Sequence, residues 1–273
     1  MQKKEFAVLT LLEQSEEALT QRQITAELGF SVGSVNKIVK KLTDEGLIAN
    51  GRITPAGVEA LEPYRVKRAI FLAAGFGSRM VPLTFNTPKP LVRVHGTRMI
   101  DTLLDAVVAA GIPEVIIVRG YLGEQFDQLL YKYPMIKFME NPIYNEANNI
   151  SSALVARYLM QNAYVLEADL VLSNPKLIRK YEYSSNFMGI PVEVSDDWCL
   201  FTDKNGIVIK QAVLLFITII QNTHAQLHTF VANANTGSGD KAFCLGLAFS
   251  AERTMKTTIF LIRHESVTAF PID

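Results

Sequence analysis

Ala69-Ile70-Phe71-Leu72-Ala73-Ala74-Gly75-Phe76-Gly77-Ser78-Arg79-Met80 is the stretch that decides the fold. Its first six residues are an apolar run of strand length, and the run passes straight into a glycine-rich turn. A strand ending in such a turn presents backbone N–H groups at the carboxyl edge of an α/β sheet, where phosphates bind. Gly75 and Gly77 would let a ligand approach the backbone and would adopt dihedrals barred to residues with side chains. Arg79 adds a fixed fork of donors for phosphate oxygens, and Lys89, in Thr87-Pro88-Lys89-Pro90, supplies a second cation from a stiff loop. A Rossmann dinucleotide turn needs a third glycine where Met80 stands, and the Walker pattern needs a Gly-Lys-Ser/Thr that is absent.

Working outward, the chain keeps an α/β rhythm. An amphipathic helix over 99–110 is closed by Gly111, and a strand follows over 114–118. Gly120 and Tyr121 stand just past that strand's carboxyl end, where open sheets collect ligands. A helix over 124–133 and a strand over 136–140 repeat the unit, after which polar groups at 148–152 cap a helix running to Met160. The next apolar strand, 163–169, ends in Glu167-Ala168-Asp169, whose period of two puts both carboxylates on one side unless the strand stops before them. Asp169 is the candidate magnesium ligand, because magnesium takes hard oxygen donors and completes its shell with waters and substrate phosphate. The alternative for Asp169 is a cap on Ser173 or Asn174.

The first sixty residues read differently. Phe6, Val8, Leu9 and Leu12 make a helical stripe; Thr20 with Gln23 forms a capping-box start to a second helix ending near Leu28-Gly29. Ser31 caps a third helix with Val35, Ile38, Val39 and Leu42 on one face, and Asn50-Gly51 predicts a tight hairpin. That order, ending its third helix in "KKLTDEGLI", resembles the winged helix-turn-helix family. Lys37, Lys40, Lys41 and Arg52 offer phosphate contacts, but acidic and basic side chains nearly balance in this segment. A dedicated DNA binder concentrates more positive charge. Contact with DNA is therefore left open beside a protein-contact or scaffolding role.

"LAAGFGSRM" with "NTPKPLV" resembles the signature of the sugar-phosphate and alcohol-phosphate nucleotidyltransferases. The resemblance implies a doubly wound, mostly parallel, Rossmann-like α/β sheet behind a small winged-helix domain; the bridge from Thr54 to Tyr64, where Pro63 forbids a simple helical continuation, sets the domains at 1–64 and 65–273. "GYLGEQFDQLLYKYP", "NPIYNEANNISSAL", "NAYVLEADLVLSNP" and "DDWCLFTDKNG" sharpen it. They are similar to the bacterial cytidylyltransferases that load phosphocholine, including a subgroup with an N-terminal winged helix. The implied reaction is transfer of a cytidylyl group from CTP to phosphocholine, giving CDP-choline and pyrophosphate with Mg2+ as cofactor. Arg79, Lys89 and Asp169 would be catalytic; Leu72, Ala74, Gly75, Gly77, Ser78, Gly120 and Tyr121 would bind the nucleotide. Trp198, Asp197, Tyr144 and Asn149 would receive the acceptor, since a quaternary ammonium cannot hydrogen-bond and is recognised by aromatic faces and carboxylates. The resemblance fades after about residue 209. There Leu245 to Ser250 is the candidate returning strand, and Pro271-Ile272-Asp273 echoes a late metal-binding aspartate that would make Asp273 a second ligand. A missing second carboxylate would impair activity, so a CTP- or phosphocholine-sensing regulator and an inactive scaffold stand as alternatives.

Charge and cysteine usage bound the rest. The 273 residues carry 27 Lys plus Arg against 27 Asp plus Glu, which excludes a general field steering the chain onto nucleic acid or an anionic membrane. Two cysteines, Cys199 and Cys244, form no disulfide framework or zinc cluster, and with no signal-peptide h-region the expectation is cytoplasmic. The apolar run at 207–220 is interrupted by Lys210 and Gln211 and is too short to span a bilayer, so no membrane insertion is expected. The four histidines, His95, His224, His228 and His264, share no catalytic spacing. A homodimer is left open.

Overall fold

The structure is a computed structural model that describes residues 1–147, 149–189, 198–203, 207–213, 259–263, 266–267 and 270–271. At 198–199, at 210–213 and in the strands beyond, it describes the backbone alone. The chain divides into two compact units, Met1–Arg65 with Tyr181–Tyr183, and Val66–Lys180 with Ser184–Asp273.

In the first unit, α1 (Lys3–Gln14), α2 (Gln21–Leu28) and α3 (Val32–Asp44) precede a hairpin, β1 (Ile48–Ala49) and β2 (Arg52–Ile53), and a short α4 (Pro55–Leu61). The reciprocal Thr20–Gln23 capping box forms, and α2 stops at Gly29, which takes the left-handed conformation. Asn50 and Gly51 both have positive φ, the geometry of the two-residue turn that matches strand twist. Phe6, Leu9, Leu12, Ile24, Val35, Ile38 and Leu42 close one apolar core. On the exposed side of α3, Lys41 is tied to Glu5 at 2.7 Å and to Glu45 at 3.6 Å. On the wing, Arg52 donates to the Glu16 carbonyl at 3.0 Å. Lys37 and Lys40 remain exposed without an ion pair among the described residues.

The second unit is organised on β3 (Arg68–Ala73). A small hairpin, β4 (Arg93–Val94) and β5 (Thr97–Arg98), leads to α5 (Met99–Ala109), followed by β6 (Glu114–Arg119), β7 (Ile136–Glu140), α6 (Asn149–Ala156), β8 (Ala163–Glu167) and β9 (Asn186–Gly189). Then come β10 (Trp198–Thr202) and β11 (Val208–Val213), an antiparallel pair, and β12 (Ile259–Arg263), β13 (Ser266–Val267) and β14 (Phe270–Pro271). The large sheet runs β14-β9-β12-β8-β3-β6-β7, with β8, β3, β6 and β7 parallel and β12 antiparallel to β8. Alternation along β3 sends Ala69, Phe71 and Ala73 toward Ile100, Leu103 and Leu104 of α5, and Ile70 and Leu72 toward Ala153 and Ala156 of α6. Helices thus cover both faces, the doubly wound arrangement. The chain leaves β3 for β6 on one side and later returns to β8 on the other, so the strand order reverses beside the carboxyl end of β3.

Several expectations are revised. The segment expected to be an α-helix over 124–133 is a 3-10 helix, Gly123–Tyr131, because its buried residues Gly123, Phe126 and Leu129 recur every three positions, the 3-10 period. The helix expected to reach Met160 ends at Ala156 and tightens into the 3-10 turn Arg157–Leu159. Gly77 has φ +63°, but Gly75 has no positive φ, so unusual backbone is needed at only one of the two. The strand antiparallel to β8 is β12, while the expected returning strand, residues 245–250, lies outside the described residues. No helix among the described residues is long and apolar enough to cross a membrane.

Candidate active site

Three loops converge at the reversal point. The turn after β3 is bent by Gly77, where an added Cβ would come within 2.9 Å of Lys89 Cβ and 3.0 Å of Thr84 Cγ2. Thr84 Oγ1 donates to the Gly77 carbonyl at 2.9 Å, fixing that bend. The Lys89–Leu91 turn follows, with Leu91 N donating to the Pro88 carbonyl at 2.9 Å. The third element is the end of β8. The strand stops at Glu167, yet both Glu167 and Asp169 line the resulting cleft, of about 760 Å3 including its open mouth.

The cleft brings together Leu72, Gly75, Gly77, Ser78, Arg79, Lys89, Asn149 and Asp169 of the residues expected from sequence. Sequence reasoning gave Met80 and Pro90 no role there, and only a structure shows that they complete the wall. Ala74, Gly120 and Tyr121 are not among the lining residues. Tyr121 N donates to the Ala74 carbonyl at 3.1 Å, and the Tyr121 hydroxyl donates to the Thr84 and Phe85 carbonyls at 3.1 and 3.0 Å. Tyr144 packs so closely on Gly120 that an added Cβ there would lie 2.6 Å from its ring. Phe76 meets the rings of Tyr121 and Tyr144 at centroid distances of 5.0 and 5.5 Å. These contacts brace the glycine turn against β6. His95 sits with Gly96 at positive φ in the turn of the β4–β5 hairpin, exposed and away from this lining. Asp197 and Asp273 lie outside the described residues, and of Trp198 only the backbone, at the start of β10, is described.

Inside the cleft Lys89 Nζ lies 2.5 Å from Asp169 Oδ2, both side chains about one-fifth exposed. Asp169 therefore faces a cation across the cleft. Glu167 is 8% exposed and accepts from Asn149 Nδ2 at 3.4 Å. Burial, reinforced by the neighbouring Asp169 charge, pushes the Glu167 carboxyl up to about 7, against the opposing pull of Lys89 and Asn149. The helix that carries Asn149 is anchored by buried Asn141, which donates to Ser151 and Ser152 at 2.8 and 3.0 Å. Arg79 is exposed at the cleft and makes no ion pair among the described residues. Among the described residues no three His, Cys, Asp or Glu side chains form a ready-made metal cluster.

A carboxyl group whose folded pKa is raised binds more protons folded than unfolded, so its contribution is fully present below the unfolded pKa near 4.5 and is lost as pH rises through about 7. Glu167→Gln keeps the neutral shape at every pH. In a chelator, thermal unfolding from pH 4.5 to 8 is expected to show the variant gaining stability on the wild type as pH rises, by up to ~3 kcal/mol. Parallel profiles would mean that Glu167 titrates normally.

A glycine-bent turn stands at the switch point of a doubly wound sheet beside opposed basic and acidic side chains, the place where open α/β sheets collect ligands. Residues 68–188 match the model of the nucleotidyl transferase family, and residues 1–52 match that of the MarR family. The chain is similar to bacterial choline-phosphate cytidylyltransferases. It is 37% identical to that of Haemophilus influenzae over 142 residues, 52% of this chain and 60% of that protein. It is 40% identical to 2-aminoethylphosphonate cytidylyltransferase of Lancefieldella rimae over 149 residues, 52% of this chain and 59% of that protein. The solved structure of CTP:phosphocholine cytidylyltransferase from Streptococcus pneumoniae aligns with a TM-score of 0.50 at 35% identity, covering 55% of this chain and 64% of that one. The chain thus spans about three-fifths of the length of these relatives.

Proposed function

We propose that the chain transfers a cytidylyl group from CTP to a small phosphorylated amine, with phosphocholine as the first candidate acceptor. The observation that carries this reading is the cleft itself, where the Gly75–Gly77 turn and Arg79 face Lys89 and Asp169 across the strand-order reversal. An acceptor phosphate oxygen would attack the α-phosphorus of CTP, forming one P–O bond as the bond to the leaving pyrophosphate breaks. No side chain has to become a nucleophile. Arg79, Lys89 and loop amides would stabilise charge on the equatorial oxygens and the leaving group. The donor set suits a magnesium ion: Asp169 and Glu167 offer hard carboxylate oxygens, and the Lys89 ammonium already stands against Asp169 as a cation would. When bound, magnesium would supply Lewis-acid charge neutralisation at the phosphates.

The cytidylyltransferases of Haemophilus influenzae, Lancefieldella rimae and Streptococcus pneumoniae share CTP chemistry by name and differ in acceptor, which supports the donor more than the acceptor. The 40% identity to a 2-aminoethylphosphonate enzyme favours a second acceptor, an aminoalkyl phosphonate. Pyrophosphate release from each of the four NTPs, with phosphocholine, phosphoethanolamine or 2-aminoethylphosphonate, tests both parts. Release with CTP and phosphocholine is expected; release with another base alone would overturn the cytidylyl reading. A DNA-binding regulator that senses the same ligands is favoured by the MarR match, and it requires DNA affinity that changes with CTP or phosphocholine.

Trp198 is proposed as the face that meets the trimethylammonium group. Trp198→Leu keeps apolar bulk and removes the ring quadrupole, worth about 0.5 to 2 kcal/mol, or roughly a two- to thirtyfold loss of phosphocholine affinity. Calorimetry should show a smaller loss for phosphoethanolamine, whose primary ammonium recovers hydrogen bonds. Equal losses together with a lowered melting temperature would make Trp198 a packing residue.

A further inference from the structure

Lys89 and Asp169 are not a solvated surface pair. Each is about one-fifth exposed, and the Lys89 backbone is set by Pro88, Pro90 and the packing of Gly77 against its Cβ. The ammonium lies where a second positive charge would have to enter to reach Asp169. Arg79 lines the same cleft without such a tie among the described residues. The two cations therefore start from different states: one is ready for a phosphate and one is committed to a carboxylate.

We propose that Lys89 competes with a divalent cation for the Asp169 carboxylate, so that the nucleotide-free chain excludes the cation until a triphosphate draws the ammonium away. This rests on the nucleotidyl-transfer reading of the cleft. A bound triphosphate offers Lys89 equivalent oxygens, the ammonium swings off Asp169, and the Asp169 carboxylate is left with the negative charge that holds a divalent ion. By linkage, the factor by which the nucleotide strengthens cation binding equals the factor by which the cation strengthens nucleotide binding. A lysine whose only part is to touch phosphate would have no effect on cation affinity before the nucleotide arrives.

The test uses the full chain without nucleotide, with Mn2+ as the probe and free aqueous Mn2+ followed by electron paramagnetic resonance. Wild type and Lys89→Arg, which keep the competing charge, are expected to bind Mn2+ weakly. Lys89→Met and Lys89→Gln, two variants guarding against a folding failure in either, should bind at least about tenfold more tightly. Adding Asp169→Asn to Lys89→Met should abolish the gain. Wild-type affinity in both neutral variants, or a gain that survives Asp169→Asn, overturns the proposal. CTP binding is measured separately by calorimetry. If CTP binds and the neutral variants leave Mn2+ affinity unchanged, the competition falls while the nucleotidyl-transfer reading stands. If CTP fails to bind, that reading falls, and a gain in the neutral variants still supports the competition.

Discussion

Asp169→Asn is expected to lower CTP-dependent pyrophosphate release by about a thousandfold or more while the second unit still unfolds cooperatively. The change removes one charge and almost no volume, so packing around Leu170 and Ala168 in the buried core is untouched. What it removes is the carboxylate that pairs with Lys89 in the cleft. In a nucleotidyl transfer through charged oxygens, a lost metal carboxylate forfeits several kcal/mol of transition-state stabilisation, and each ~1.4 kcal/mol is tenfold in rate. The loss of the 2.5 Å ion pair affects stability less, because the asparagine amide oxygen can still accept a hydrogen bond from the Lys89 ammonium. A second readout accompanies the first. The Asp169 charge contributes to raising the Glu167 carboxyl, so that group should titrate lower in the variant. A near-normal magnesium-dependent rate in Asp169→Asn would remove Asp169 from the proposed role.

Much of the fold was legible because local signals were strong and agreed with one another. Thr20 with Gln23, Ser31, and Asn50-Gly51 each fix a boundary through hydrogen bonds or positive φ within a few residues, and the structure has each of them. The strand over 136–140 is bounded as expected because its ends are set by turns on both sides. The 3-10 helix at Gly123–Tyr131 was not legible as such, since apolar residues three apart fit an α-helical stripe nearly as well. The cleft lining was readable where chemistry and chain position coincide, as at Gly77, Lys89 and Asp169. It was not readable for the pairing itself. Lys89 and Asp169 are eighty positions apart, and only the return of the chain to β8 beside β3 brings them within 2.5 Å. Likewise the position of Gly120 and Tyr121 past the carboxyl end of a strand was readable, but not their contacts with Ala74, Thr84 and Tyr144.

The two glycines of the phosphate turn provide the other large expected effect, because the structure separates their causes. Gly77 is required by the protein itself: its φ of +63° costs a side-chain-bearing residue about 1–2 kcal/mol, and a Cβ would press on Lys89 and Thr84. Gly75 is different. It lines the cleft, its φ is ordinary, and a Cβ there would meet nothing within 4 Å. The absence of a side chain at Gly75 serves the space in front of the loop, where the triphosphate is proposed to lie against backbone N–H groups. Gly75→Val should therefore leave the melting temperature within about a degree or two of wild type, the change expected of a substitution that strains and displaces nothing. CTP affinity should nevertheless fall by roughly a hundredfold or more, since holding the phosphates off the loop loses charge-assisted hydrogen bonds worth about 1.5–3 kcal/mol each. Gly77→Ala should show the reverse order, with a clear drop in melting temperature accompanying any loss of binding. Differential scanning fluorimetry and calorimetric titration of CTP on the same preparations give both numbers. Unaltered CTP affinity in a well-folded Gly75→Val variant would mean that the phosphates do not rest on this turn.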